Sequence, residues 1–131
     1  MRRLLLAVCM AATLLLSCSK TEQKVDFAAA NAAKQYYEWL LTGNYDAFVR
    51  GLDFPDSIPD SYREQLVANA KMFVGTQKEE HGGLREVRIV NCVNDSLSST
   101  ASAFLLLSFG DNSTEEIVVP MIRKNEKWYM K

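Results

Sequence analysis

Between Asp26 and Leu41 the residues Ala29, Ala33, Tyr36, Tyr37 and Leu40 recur at steps of three and four, and Asn31, Lys34, Gln35, Glu38 and Thr42 fall on the opposite side. That period describes an amphipathic helix of about four turns, with one apolar stripe and one polar face. Its alanines permit close approach of whatever it covers, and Gly43 just past the stripe is a stop signal. Asn44 can cap a second, short helix carrying Tyr45, Phe48, Val49 and Leu52. The stretch LDFPDSIPDS, with Pro55 and Pro59, predicts a turn-rich connection. Ser61 and Glu64 then have capping-box spacing ahead of a third stripe, Leu66, Val67, Ala70, Phe73 and Val74, on a helix expected to end near Lys78.

After His81, Gly82 and Gly83 the period drops to 2. A strand is predicted from Leu84 to Asn94, with Val87, Ile89 and Val93 on one face and Glu86, Arg88 and Val90 on the other. A second, from Ser99 to Phe109, sets Ala101, Ala103, Leu105 and Leu107 against Phe104 and Leu106. Asp111, Asn112 and Ser113 turn the chain into a third strand through Ile117, Val118, Val119 and Ile122, and Asn125 with Glu126 turns it into a short last strand holding Trp128 and Tyr129. Tight turns make these neighbours antiparallel. Helices followed by a strand meander predict an α+β fold, N-terminal helices packed on a curved four-stranded antiparallel sheet.

Ahead of this part lies a different pattern. Arg2 and Arg3 precede an apolar run from Leu4 to Leu16 broken only by Thr13, and Ser17 and Cys18 close it. A membrane-crossing helix takes about 20 apolar residues, and this run has 13, so it reads as an export leader with its small-residue boundary. Leu15-Leu16-Ser17-Cys18 resembles the lipobox of bacterial lipoproteins, although Leu16 stands where a smaller residue is more usual. The resemblance implies cleavage before Cys18, a diacylglyceryl thioether on its sulfur and acylation, of the palmitate kind, on its new amino group. Two or three chains anchor stably where one does not, since each buried CH₂ contributes about 0.8 kcal/mol. The expected organisation is a signal peptide over 1–17, the acylated cysteine and a polar tether over 18–25, and an α+β domain over 26–131. Ser19 in place of the Asp that usually marks retention implies the outer membrane of a Gram-negative cell envelope.

Removing a 17-residue leader from 131 residues leaves 114, enough for one domain with a real core. That mature chain keeps 13 of the 15 basic residues and all 16 acidic ones, a formal charge of −3. The basic residues are scattered, which argues against nucleic acid as a partner. Cys9 leaves with the leader and Cys18 is acylated, so Cys92 is the remaining thiol and an internal disulfide is excluded.

The aromatic first helix running into LLTGNYDAF, the Gly82-Gly83 pair, the ASAFLLLSF strand and the closing KNEKWYM resemble the small bacterial lipoprotein domains of unknown function that share a cystatin-like, nuclear transport factor 2-like cone. The resemblance covers about residues 26–131. It implies a long helix lying in a curved sheet with a pocket between them, and it carries no catalytic motif.

Candidate chemistry is correspondingly thin. His81, in EEHGG, could serve as a general base tuned by Glu79 and Glu80, but a solvated loop histidine explains it as well. No spacing of His, Cys and carboxylates suits a metal, and no cofactor motif is present. Asp53, Asp56 and Asp60 read as turn and cap residues, and Cys92 as a small buried hydrophobe. Tyr36, Tyr37, Trp39, Phe73 and Trp128 are the candidate pocket lining, with core packing as the competing account. Phe104 and Leu106 fall on the face away from the helices and are the candidate surface for a homodimer or an envelope protein partner. The leading expectation is a non-enzymatic lipoprotein binding a partner protein or small apolar ligand. The alternative is an isomerase, cyclase or hydrolase with its pocket between helix and sheet.

Overall fold

A computed structural model describes residues 26–131; the leader, Cys18 and the tether lie outside them. Three helices, α1 (Ala28–Leu41), α2 (Tyr45–Arg50) and α3 (Asp60–His81), precede four strands, β1 (Leu84–Asp95), β2 (Thr100–Phe109), β3 (Thr114–Lys124) and β4 (Lys127–Met130). The strands pair antiparallel in sequence order, β1-β2-β3-β4. The fold is α+β, as the change of period predicts.

α1 ends at Thr42 with Gly43 at φ +78, and the Asn44 side chain accepts the Ala47 N–H at 3.3 Å to cap α2. α3 departs from expectation at both ends. Ser61 caps nothing, because the helix already begins at Asp60 after Pro59, whose carbonyl takes the Arg63 N–H at 3.1 Å. At the far end the helix runs on to His81, since the nearest residue able to take a left-handed cap is Gly82, at φ +79. The Gly82 and Gly83 N–H groups close that end on the Lys78 and Gln77 carbonyls.

The sheet's inner face is where sequence and structure diverge most instructively. Ala101, Ala103, Leu105 and Leu107 of β2 are buried as their alternation demands. In β1, however, a register shift between Ile89 and Asn91 leaves Val90 without a partner on β2. The bulge advances the pleat by one residue. Val87 and Ile89 pack into the core, but beyond the bulge Cys92 takes the inward position and Val93, expected there, is 54% exposed. The β3–β4 turn has Asn125 at φ 52 and Glu126 at φ 64, the two positive angles of a type I′ hairpin.

Onto this inner face α1 lays Ala29, Ala30 and Ala33, each fully buried in one cluster with Ala101, Ala103, Leu105, Leu107, Met121 and Met130. Alanine on the helix and alanine on β2 let the two backbones come close. Ala33→Phe is therefore expected to overpack the seam and cost roughly 1–3 kcal/mol. Thermal melts check it: an unchanged midpoint would mean that Ala33 has room to spare.

Candidate functional site

One helical turn beyond the alanine seam, α1 carries Tyr36 and Trp39, three residues apart and so on one flank. Their ring centroids lie 5.7 Å apart at 55°. The Tyr36 hydroxyl donates to the Trp128 backbone carbonyl at 2.6 Å, which ties α1 to β4. Its ring rests on Gly51, where a Cβ would overlap the ring carbons, so that position has no space for a side chain. Just past α2 the chain joins the sheet edge: Met130 N–H donates to Gly51 O and Asp53 N–H to Met130 O, each at 2.7 Å. Lys124 Nζ meets Asp53 Oδ1 at 2.6 Å beside them.

α1, α2 and β4 together bound a cleft of about 370 Å³. Tyr36, Trp39 and Trp128 supply aromatic surface, and Gln35, Asn44, Arg50 and Lys127 supply the polar lining. Asn44 is occupied in capping α2. Lys127 holds its ammonium 5.3 Å from the Tyr129 ring centroid. Burial first, and Tyr129 nearby second, push the Tyr36 phenol above its ordinary range, so it stays protonated at neutral pH. The cleft opens past Gln35, Trp39 and Asn44 into a shallower groove of about 550 Å³ bearing Arg85, Glu38 and Glu86. Both carboxylates there have cationic partners, Lys34 at 3.5 Å from Glu38 and Arg88 at 3.6 Å from Glu86.

Of the five aromatic residues singled out in the sequence, Tyr36, Trp39 and Trp128 meet in this cleft, and Tyr37 and Phe73 do not. One residue is about 100° around a helix, so Tyr37 leaves α1 on another flank. It stands edge-on to Phe48 at 5.5 Å, and burial raises its phenol pKa as well. With Leu40, Leu66 and Phe73 it lines a separate apolar groove of about 240 Å³ among the helices. Phe104 and Leu106 are half-buried on the sheet face opposite α1, with half-exposed Val118 paired to Phe104 across β3. Arg50 and Gln35 were missed in the sequence, because nothing local marks an exposed helical polar residue as facing a cleft built by three elements.

The remaining candidates lie elsewhere. His81 finds its partner thirty positions away: Nδ1 is 3.1 Å from Asp111 Oδ2 in the β2–β3 turn, and its ring packs 5.2 Å from Phe109. Glu79 and Glu80, the expected neighbours, are both exposed. Ser113 also bonds Asp111, through both its hydroxyl and its N–H. The order Ser113–Asp111–His81 puts the carboxylate in the middle, whereas a nucleophilic triad needs the histidine there. Cys92 is buried. Among the described residues no group of His, Cys, Asp and Glu converges as a metal site would require, and no helix is long and apolar enough to cross a membrane.

No family model and no curated protein matches the sequence. Solved structures do match the fold. A crystal structure from Campylobacter jejuni that carries the name NTF2-like transpeptidase superposes with a TM-score of 0.62 at 15% identity, over 76% of this chain and 94% of that one. The solution structure of a SEC-C motif containing protein from Rhodopseudomonas palustris gives 0.56 at 13% identity, over 85% of this chain and 80% of that one. This chain has the NTF2-like fold. At such identities the likeness speaks of architecture alone.

The Asp111 turn generates a test of the loop contacts. Ser113 first, then His81, hold its carboxyl down to about 2 from an ordinary 3.8. A folded-state pKa below the unfolded one stabilises above the unfolded value and is lost as pH falls toward the folded one. The melting midpoint should thus fall more steeply between about pH 4 and 2 in the native chain than in Asp111→Asn; superimposable profiles would show that the bonds contribute nothing.

Proposed function

We propose that the chain is a cell-envelope lipoprotein, anchored in the outer membrane through acylated Cys18, whose NTF2-like domain binds a small, largely apolar ligand without catalysing a reaction. The observation that carries the binding reading is the inventory of the α1–α2–β4 cleft. An enzyme site of this size aims two or more titratable groups at one point. Here the ionisable lining groups are Tyr36, Arg50 and Lys127. Tyr36 is pushed toward its protonated form and already donates its hydroxyl hydrogen to the Trp128 carbonyl, and the two cations have no acid or base partner beside them in the lining. Among the described lining residues there is no carboxylate, histidine or thiol. What the cleft offers is stacking surface and a few polar tips, the composition of a binding pocket.

The anchor rests on the charged start, the short apolar run and Ser17-Cys18, all outside the described residues. A tether of seven residues, 19–25, would hold the domain within about 25 Å of the lipid. Metabolic labelling with a fatty acid tests it directly: the native chain should take up label and Cys18→Ser should not, and an unlabelled native chain would overturn the anchor.

The cleft has a convenient reporter, since the protein's two tryptophans, Trp39 and Trp128, both line it. In the mature chain, titration with the neutral probe 2-naphthalenemethanol should shift both indole N–H resonances saturably. Trp39→Ala should weaken that binding by about ten-fold through lost stacking area. Unmoved indole signals at saturating probe would remove the cleft as a binding site.

A further inference from the structure

The charged groups lining this cleft have one sign. Arg50, at the last position of α2, and Lys127, at the first of β4, both border it, and among the described residues no carboxylate does. That bias runs against the whole chain, whose formal charge is −1, so it is a local arrangement. Of the nearby acids, Glu38 is paired with Lys34, Glu86 with Arg88 and Asp53 with Lys124, while Asp46 of α2 and Glu126 beside Lys127 are exposed and lie outside the cleft lining. Lys127 rests its ammonium on the Tyr129 ring. Arg50 differs: among the described residues it takes part in no ion pair, and it is exposed at the cleft where three aromatic rings meet.

We infer that the ligand is an aromatic or otherwise flat apolar molecule bearing a carboxylate or equivalent anionic group. Its body stacks against Trp39 and Trp128, and its anion is taken by the Arg50 guanidinium. The inference rests on the binding reading above and supplies the chemical class. The guanidinium suits it because its planar fork matches a carboxylate with two parallel N–H donors. The Tyr36 hydroxyl contributes nothing to the choice, being committed to Trp128 O. Gln35 brings an amide to the rim that can accept or donate.

A pair of probes with one ring and different charge separates this claim from the general one. The mature chain is titrated with 2-naphthoate and with 2-naphthalenemethanol, and the two tryptophan indole N–H signals are followed. The anion is expected to bind three- to ten-fold more tightly than the alcohol, and added salt should reduce the anion's advantage. In Arg50→Gln the anion's advantage over the alcohol should vanish, and Arg50→Lys should restore part of it. Because Arg50 is exposed and, among the described residues, in no ion pair, its replacement leaves the packing intact, and an unchanged dispersion of the backbone amide signals serves as the control for fold. Equal affinities for the two probes in the native chain, or a preference for the anion that survives Arg50→Gln, would overturn the charge claim and leave the cleft standing. Failure of both probes would remove cleft and charge claim together.

Discussion

The depth at which α1 sits on the sheet is set by side-chain volume. Ala29, Ala30 and Ala33 meet an inner face that carries Ala101 and Ala103 on the facing strand, and all are buried. With larger residues on either side, the helix axis would stand farther off, and the two polar ends of the contact would lose their reach. At the amino end, Asn94 Nδ2 donates to Asp26 O at 2.8 Å, holding the start of the domain against the β1–β2 hairpin. At the other end the Tyr36 hydroxyl spans to Trp128 O. Each is a single hydrogen bond of modest net value, on the order of 1 kcal/mol. Both exist because packing between them has already fixed the distance.

The same seating divides the helix surface between two clefts. Tyr36 and Trp39 face β4 and α2, and Tyr37 and Leu40 face α2 and α3. α2 is the shared wall, and it is held at both ends: Asn44 caps its start, and the backbone after it adds to the sheet edge through Gly51 and Asp53. Gly51 is needed at that junction because the Tyr36 ring occupies the volume a side chain would take. α3 is bound more loosely. Over its 22 residues only Ala70 is buried, and Met72 stands 68% exposed. The cleft between α1, α2 and β4 is thus built by the well-tied elements, and the apolar groove involving α3 by the least tied one.

How much of this was legible follows from where each signal resides. Element type and order came through because a change from period 3.6 to period 2 is a local pattern, and so did Gly43, Asn44 and the Asn125-Glu126 turn, which act on their own neighbours. The bulge at Val90 was not legible: a valine among β-branched residues carries no mark of having lost its partner, and one extra residue exchanged Cys92 for Val93 in the core. Nor was the pairing of His81 with Asp111, which depends on the α3 cap docking on the β2–β3 turn. That docking is tight. Gly110 N–H donates to Gly83 O and Asp111 N–H to His81 O, each at 2.8 Å, and a Cβ at Gly110 would strike the Gly82 carbonyl. At the site, composition identified aromatic walls, but the division of five aromatics between two clefts required knowing where the helix flanks point.

Cationic lining in an acidic domain has an energetic reading that differs from that of a catalytic pair. A catalytic acid or base works by having its pKa moved toward the working pH, which requires burial or a charged neighbour. Arg50 cannot serve in that way, because a guanidinium keeps its charge at any physiological pH. Tyr36 is moved in the unhelpful direction, farther above neutrality, by the burial that makes it a good wall. Arg50 therefore supplies a fixed positive charge at the rim and Tyr36 a hydrogen already donated inside, neither of which changes state when a ligand arrives. Such groups can select a ligand by shape and sign. The carboxylates of Glu38, Glu86 and Asp53, meanwhile, are paired outside the cleft lining with Lys34, Arg88 and Lys124.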